Sequence, residues 1–412
     1  MTGGGAPARR RMLAAVLVEP GRIELREAPV PAPGPGELLV RVDAALTCGT
    51  DLKTYRRGHP RIPLPTPMGH EFSGTVAAVG AGVARFREGD AIACVPTAPC
   101  GACRLCRRGR ENLCPDAVGR MVFGAFAEYV LLPRHIVERH VFPRPDALSA
   151  DEAAALEPLA CVVHGADRVA LDRAEHVVFL GDGPITLLFL QVARLRGAGS
   201  VIVVGRHEAR LEVARALGAE TILDPGATER ESGDGARDRD DGVRHRGAGA
   251  SDPRRAAPRA AGDGARDRGA AALREAVLER TGGVGADIVV ECVGRPEVWE
   301  AAPALAAVGG EVLLYGGCAA GTRASFDTLR VHYEEVDLKG AFHYRPADVR
   351  EAYALLADRR VAAGPLITHR RPLDHLEEAL ALVLRREAVK VAVAPEAEGT
   401  PDALGTPEAA GG

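Results

Sequence analysis

The sequence predicts an α/β chain in two parts, a β-rich, barrel-like portion followed by a doubly wound parallel-sheet portion. Two observations carry this. From residue 12 to about residue 95, short segments alternate apolar and polar residues and are split by Gly- and Pro-rich turns. From His176 an apolar run enters the glycine turn Gly181-Asp182-Gly183, and Pro184-Ile185-Thr186 then opens a helix. Glycines at such a turn let the backbone approach a pyrophosphate, which a helix N-terminus stabilises. Thr186 stands where a third glycine would complete the fingerprint.

Composition bounds the function. The chain has 412 residues, a net charge of −4 and 46% hydrophobic residues, enough for two cores. That charge is too small to point to nucleic acid or a membrane surface. No apolar run approaches the roughly 20 residues of a membrane-spanning helix. Arg9-Arg10-Arg11 precedes an apolar run, Met12 to Val18, in the manner of a signal peptide. Glu19-Pro20-Gly21 stops the run at once, with no small-residue cleavage site. Residues 1–11 are therefore expected to be a flexible tail entering the first strand, and the protein to be cytoplasmic.

The first chemistry-bearing stretch is Cys48-Gly49-Thr50-Asp51, followed by Gly69-His70-Glu71. Thiolate, imidazole and carboxylate make up the mixed ligand set of a catalytic zinc, which keeps one position open for water or substrate. Such an ion stabilises an alkoxide as a Lewis acid, and an alkoxide gives up hydride. Glu157-Pro158 offers a further carboxylate, and Thr50 and Asp51 supply groups for a proton relay and for orienting ligands. A buried core cysteine and an ordinary turn are the competing reading of Cys48. Downstream, Cys100, Cys103 and Cys106 are closed by Cys114. Four thiolates on one loop predict a closed, structural zinc site. The remaining Cys94, Cys161, Cys292 and Cys318 read as small core residues, with Cys161 a minor candidate ligand close to Glu157. Lysine occurs only at Lys53, Lys339 and Lys390 in an arginine-rich chain. A lysine kept under that bias suggests chemistry of its own, since the two cations are not interchangeable.

Strands are expected at Val201–Val204, Thr221–Asp224, Asp287–Gly294 and Glu311–Gly317, with helical stretches at 210–217 and 303–308. Residues 226–269 are almost all Gly, Ala, Arg, Asp and Pro, and are expected to be a disordered insert. Within it Gly233-Asp-Gly-Ala-Arg-Asp-Arg239 recurs at 262–268, which suggests local duplication. A basic RNA-binding segment is the sharper reading, but interleaved aspartates and absent aromatics oppose it. Two helices, 346–358 and 373–384, and a strand at 390–393 complete the chain, and residues 395–412 read as a flexible tail.

Cys48, His70 and Glu157, the four-cysteine loop, the glycine turn, Glu157-Pro158-Leu159 and Gly124-Ala-Phe-Ala-Glu128-Tyr129 occur in an order that resembles the zinc-containing medium-chain dehydrogenases. The similarity is greatest to their sorbitol, L-iditol and threonine dehydrogenase branch. The resemblance implies a GroES-like catalytic domain (12–160, completed by 343–394) split around a Rossmann domain (161–342). It implies two zinc ions, a catalytic one held by Cys48, His70 and Glu157 and a structural one held by Cys100, Cys103, Cys106 and Cys114. Glu71 would lie close by or exchange as a ligand, and Thr50 would carry the alcohol proton. Many relatives have His where this chain has Lys53, which alters the outer relay. NAD(P) would sit on Gly181, Gly183, Pro184 and Ile185. At the end of the second strand, Gly205 and Arg206 replace the usual acidic residue, and Arg210 adds a donor, so NADP is expected over NAD. The implied reaction is oxidation of a secondary alcohol in a polyol, sugar or related compound. Threonine-type or amino-alcohol oxidation and a non-catalytic nucleotide-binding homologue are the alternatives. A homo-oligomer, dimer or tetramer, and a small-molecule alcohol as sole partner complete the expectation.

Overall fold

A computed structural model describes residues 11–58, 62–225 and 263–395. Three sheets organise the chain. The N-terminal hairpin, β1 (Arg11–Glu19) and β2 (Arg22–Pro29), takes β4 (Thr66–Pro67) on its other side. The hairpin turn contains Pro20-Gly21, with Gly21 at φ 81. A larger antiparallel sheet is centred on β3 (Leu38–Leu46) and β5 (Glu71–Val79), whose alternating apolar residues line a common core. It continues through β6 (Ala91–Cys94) and β8 (Val141–Pro143), while β7 (Tyr129–Leu132) pairs with β3. At its other edge stand β15 (Ile367–Pro372) and β16 (Lys390–Ala394), with β16 antiparallel to β3. The end of the chain thus returns to the sheet in which it began.

Between these halves lies a six-stranded parallel sheet. Its strands are β9 (His176–Leu180), β10 (Ser200–Val204), β11 (Thr221–Leu223), β12 (Ala286–Glu291), β13 (Ala306–Leu314) and β14 (Asp337–Gly340). The spatial order is β11-β10-β9-β12-β13-β14, reversing direction at β9, where a doubly wound sheet binds its ligand. Buried on both faces, β9 and β10 are continuous apolar runs. The expected boundary at 160/161 falls inside a helix, Leu156–Ala166, which packs against Pro346–Ala357 of the returning segment.

Two elements differ from expectation. The helix Asp263–Arg280 takes in residues 263–269, which composition alone had assigned to the insert. Val277, fully buried, and Leu273, one turn earlier, dock it on the parallel sheet, and its alanines carry no helix penalty. The rest of the expected insert, 226–262, and both expected tails apart from Arg11 and Pro395 lie outside the described residues. At 303–308 a single 3-10 turn, Ala302–Leu305, passes directly into β13, because Ala306 already pairs with Ala286. No helix among the described residues is long and apolar enough to cross a membrane.

Candidate active site

Cys48 caps the helix Gly49–Arg57. Its Sγ accepts from Thr50 N (3.4 Å), and Asp51 Oδ2 accepts from Cys48 N (3.1 Å). The same Asp51 carboxylate lies 3.3 Å from His70 Nδ1, which orients the ring and leaves its other nitrogen toward Cys48. His70 and Glu71 are held by the turn that opens β5. Gly69 sits at φ 85, and a Cβ there would come within 2.8 Å of Phe126 N. The Gly124-Ala125-Phe126 backbone closes on this turn, with Gly124 N and Ala125 N donating to Gly69 O and Phe126 N to Met68 O. Glu128, from the same motif, accepts from Leu13 N (2.6 Å) and ties the first strand to it.

Cys48, His70 and Glu71 thereby bring one donor atom each within 4.8 Å of one another. Their sulfur, nitrogen and oxygen donors fit zinc. The expected third donor was Glu157. Glu71 joins Cys48 and His70 in this trio, while Glu157 groups with Cys161 and His343 beside it, close enough that His70, Glu71 and Lys390 all act on its carboxyl. Glu157 begins the helix Leu156–Ala166, and burial pushes its carboxyl up to about 7. Glu71 is fully buried and receives Lys390 Nζ, which also donates to Thr47 O (3.0 Å). Sequence reasoning did not assign Lys390 a role, although its survival in a lysine-poor chain was the available signal.

Of the helix residues beyond Cys48, Thr50 is half-buried and Lys53 crosses the cleft, donating from Nζ to Gly317 O (3.0 Å) just past β13. A cavity of about 580 Å³ opens here between the four-cysteine lobe and the parallel sheet, with Leu113, His164, Gly317, Phe342 and His343 in its walls. Asn112 anchors the lobe by donating to Phe342 O (2.9 Å). Within the lobe, Cys103 Sγ lies 3.5 Å from Cys106 Sγ and 3.9 Å from Cys114 Sγ, and Cys100 Sγ 3.9 Å from Cys106 Sγ. A tetrahedron with metal–sulfur arms of about 2.3 Å has edges of roughly 3.8 Å, so the four thiols fit a closed zinc shell. Amide donors from Ala102 and Cys103 pull the Cys100 thiol down to about 7, which favours the thiolate a metal requires.

At the cofactor end, the helix Pro184–Leu195 begins at Gly183 with no side chain capping it, and Gly183 faces open space. Its first amides are therefore free for an anion such as a pyrophosphate. Pro184 occupies the first helical turn and Ile185 packs inward beside it. The end of β10 departs from expectation. Gly205 is not open space: a Cβ there would lie 2.6 Å from Asp182 Cβ and 2.8 Å from Leu211 Cδ2. Asp182, which sequence reasoning passed over as a turn residue, accepts from Arg206 N (2.9 Å), His207 N (3.0 Å) and His207 Nδ1 (2.8 Å). Arg210 is not a free donor either. It is buried, donates to Ala388 O and lies 3.8 Å from Asp182. Arg206 alone of the expected phosphate contacts is exposed.

Known proteins share this arrangement. Residues 34–145 match the alcohol dehydrogenase GroES-like domain, and residues 250–358 match the zinc-binding dehydrogenase domain. The sorbitol dehydrogenase of Bacillus subtilis is 30% identical over 394 residues, covering 94% of this chain and 98% of that protein. An L-threonine 3-dehydrogenase of Francisella tularensis is 36% identical over 218 residues, 52% of this chain and 61% of that one. The solved structure of a zinc-binding dehydrogenase from Sinorhizobium meliloti bound to NADP superposes with a TM-score of 0.74 at 31% identity, covering 94% of this chain and all of that one. With a GroES-like sheet closed by its own C-terminus around a Rossmann sheet, this chain belongs to the zinc-containing medium-chain dehydrogenases, in their sorbitol and threonine dehydrogenase-like branch, the NAD(P)-dependent alcohol and polyol oxidoreductases.

Proposed function

We propose that the chain oxidises a secondary alcohol in a polyol, sugar or related hydroxyl compound, reversibly, with NAD(P) as hydride acceptor. The observations that carry this are the Cys48–His70–Glu71 trio, with Glu157 beside it, and an uncapped helix N-terminus at the switch point of the parallel sheet. Cys48 and His70, with Glu157 or Glu71, would hold a zinc that supplies Lewis acidity, and a bound NAD(P) would supply the hydride acceptor. The chain's own residues do the rest. Asp51 sets the His70 ring, Lys390 holds the Glu71 carboxylate, and the Thr50 hydroxyl receives the alcohol proton. Lys53, one turn on, lies on the route of that proton toward solvent and joins the zinc helix to the cofactor-binding sheet through Gly317 O. Cys100, Cys103, Cys106 and Cys114 hold a second, structural zinc.

NADP is the cofactor we assign. Packing against Asp182 leaves no room for an acidic side chain at position 205, and the exposed Arg206 guanidinium suits a 2′-phosphate. The Sinorhizobium meliloti relative, solved with NADP, supports this. Self-association is supported by β14, which among the described residues is an edge strand unpaired on its outer side, and by the exposed Val308, Val331 and Tyr333 nearby. The decisive experiment is Cys48→Ala, assayed with a polyol, sugar and amino-alcohol panel and both cofactors. It abolishes turnover and removes one zinc equivalent while circular dichroism is unchanged. Full activity at normal zinc content would refute the assignment, and turnover confined to amino alcohols would favour the threonine-type reading.

A further inference from the structure

The helix Leu376–Leu384 ends in a Schellman turn, with Arg386 N donating to Val383 O (3.1 Å) and Glu387 N to Leu382 O (3.0 Å). Glycine is usual at the left-handed position of such a turn, yet here it is held by Arg386 at φ 66. Arg359 takes the same position after the helix Pro346–Ala357, at φ 53, and its guanidinium explains it by donating to Ala147 O and reaching Glu152 (3.4 Å). The Arg386 guanidinium is exposed and makes no such bond among the described residues. A strained arginine whose charge the fold leaves unused points to a ligand.

The surroundings of Arg386 say which ligand. Arg210 donates from Nη2 to Ala388 O, two residues beyond Arg386, and its Nη1 lies 3.8 Å from Asp182 Oδ1. Asp182 Oδ2 accepts from Arg206 N (2.9 Å), so one buried bridge joins the Arg206 loop to the Arg386 turn. Burial lowers the Arg210 pKa, Asp182 opposes this, and the Arg386 charge adds to the fall, which places Arg386 within electrostatic reach of this corner. Asp182 is also taken by His207 Nδ1 (2.8 Å), and Glu387 is taken by Arg385 (2.7 and 2.8 Å). Arg206 and Arg386 remain as exposed cations where β10 ends, a pairing that suits a phosphate dianion.

We propose that Arg386, on the turn before β16, is the second guanidinium of the NADP 2′-phosphate site, which it shares with Arg206 of the parallel-sheet domain. Cofactor choice is then set jointly by the Rossmann sheet and by the returning segment of the catalytic domain. The inference rests on the NADP assignment and is independent of the zinc chemistry.

The test measures binding to the zinc-loaded protein, using NADPH and NADH fluorescence and calorimetry with 2′,5′-ADP and 5′-AMP. Arg386→Gly removes the cation and relieves the left-handed backbone, so its melting temperature should equal or exceed that of wild type. Its Kd for NADPH and for 2′,5′-ADP should nonetheless rise about tenfold, with NADH and 5′-AMP changed by less than about twofold. Arg386→Lys, which keeps the charge, should recover part of the loss. Wild-type NADPH affinity in Arg386→Gly, or equal weakening of NADPH and NADH, would overturn the proposal even where Arg206→Ala abolishes the preference for 2′,5′-ADP. A wild type that binds 2′,5′-ADP no better than 5′-AMP would overturn the NADP assignment as well, and would leave the alcohol oxidation to its own test at Cys48.

Discussion

Gly205→Ala tests the packing at the end of β10. Its single new carbon would lie 2.6 Å from Asp182 Cβ, 2.8 Å from Asp182 Oδ2 and 2.8 Å from Leu211 Cδ2, where ordinary contacts begin near 3.4 Å. Something must therefore move by close to an ångström. Leu211 is buried in the core, and Asp182 is pinned by three donors, so neither yields freely. Overpacking of this kind costs about 1–3 kcal/mol. If Asp182 swings away instead, hydrogen bonds to a charged acceptor are lost at about 1.5–3 kcal/mol each. We expect the melting temperature of the holoenzyme to fall by several degrees, and NADPH affinity, followed by its fluorescence, to fall with it, because the displaced loop carries Arg206. Combining the change with Asp182→Gly, which removes the opposing Cβ, should cost less than the sum of the two single changes. Wild-type stability and NADPH binding in Gly205→Ala, or strict additivity in the double variant, would refute the reasoning. The same geometry makes an acidic replacement at 205 unsuitable for switching the cofactor, since it would disrupt packing before it met a ribose.

Arg206→Ala is the better probe of cofactor choice: loss of one charge-assisted contact, about 1.5 kcal/mol, should raise Kd for NADPH roughly tenfold and leave NADH binding unchanged, and equal effects on both would count against a 2′-phosphate contact. Cys106→Ser should lower zinc content by one equivalent and the melting temperature before it touches turnover per folded molecule, since the lobe closes on its own ion; a stable but inactive variant would mean that the roles of the two zinc sites must be exchanged. His140 is fully buried beside Thr97 O, and burial holds its pKa down at about 4, against about 6.5 for an unfolded chain. Between those values the unfolded state binds the extra proton, so stability is complete above about pH 6.5 and declines toward pH 4, by up to about 3 kcal/mol for this group. Urea unfolding at neutral pH and near pH 4.5 should show that acid limb, and His140→Asn, which keeps a donor for Thr97 O, should flatten it.

What was legible in the sequence depended on how local each physical requirement is. The four-cysteine lobe closes within fifteen residues, so its chemistry is written as spacing. The parallel sheet announces itself through apolar runs buried on both faces and a glycine turn at the first strand's end. The third donor beside Cys48 and His70 was not decidable in this way. Glu71 and Glu157 carry the same group, and where each carboxylate stands relative to Cys48 and His70 depends on where the turn at Gly69 and the helix at Leu156 come to rest. The end of β10 shows the same limit from the other side. A glycine followed by an arginine reads as room for a phosphate, yet the room is filled by Asp182 from a neighbouring strand's turn, and Arg210 is drawn inward to Ala388 O. Residue type predicts what a position can bind, and long-range packing decides what it has already bound. Lys390 combines both lessons. Its rarity marked it as a residue kept for its chemistry, but its partner Glu71 lies 319 positions away and becomes its neighbour only because β16 returns to pair with β3. The charge that steadies the proposed zinc site is thus supplied by the last strand of the fold, which makes closure of the catalytic sheet a condition for assembling the site.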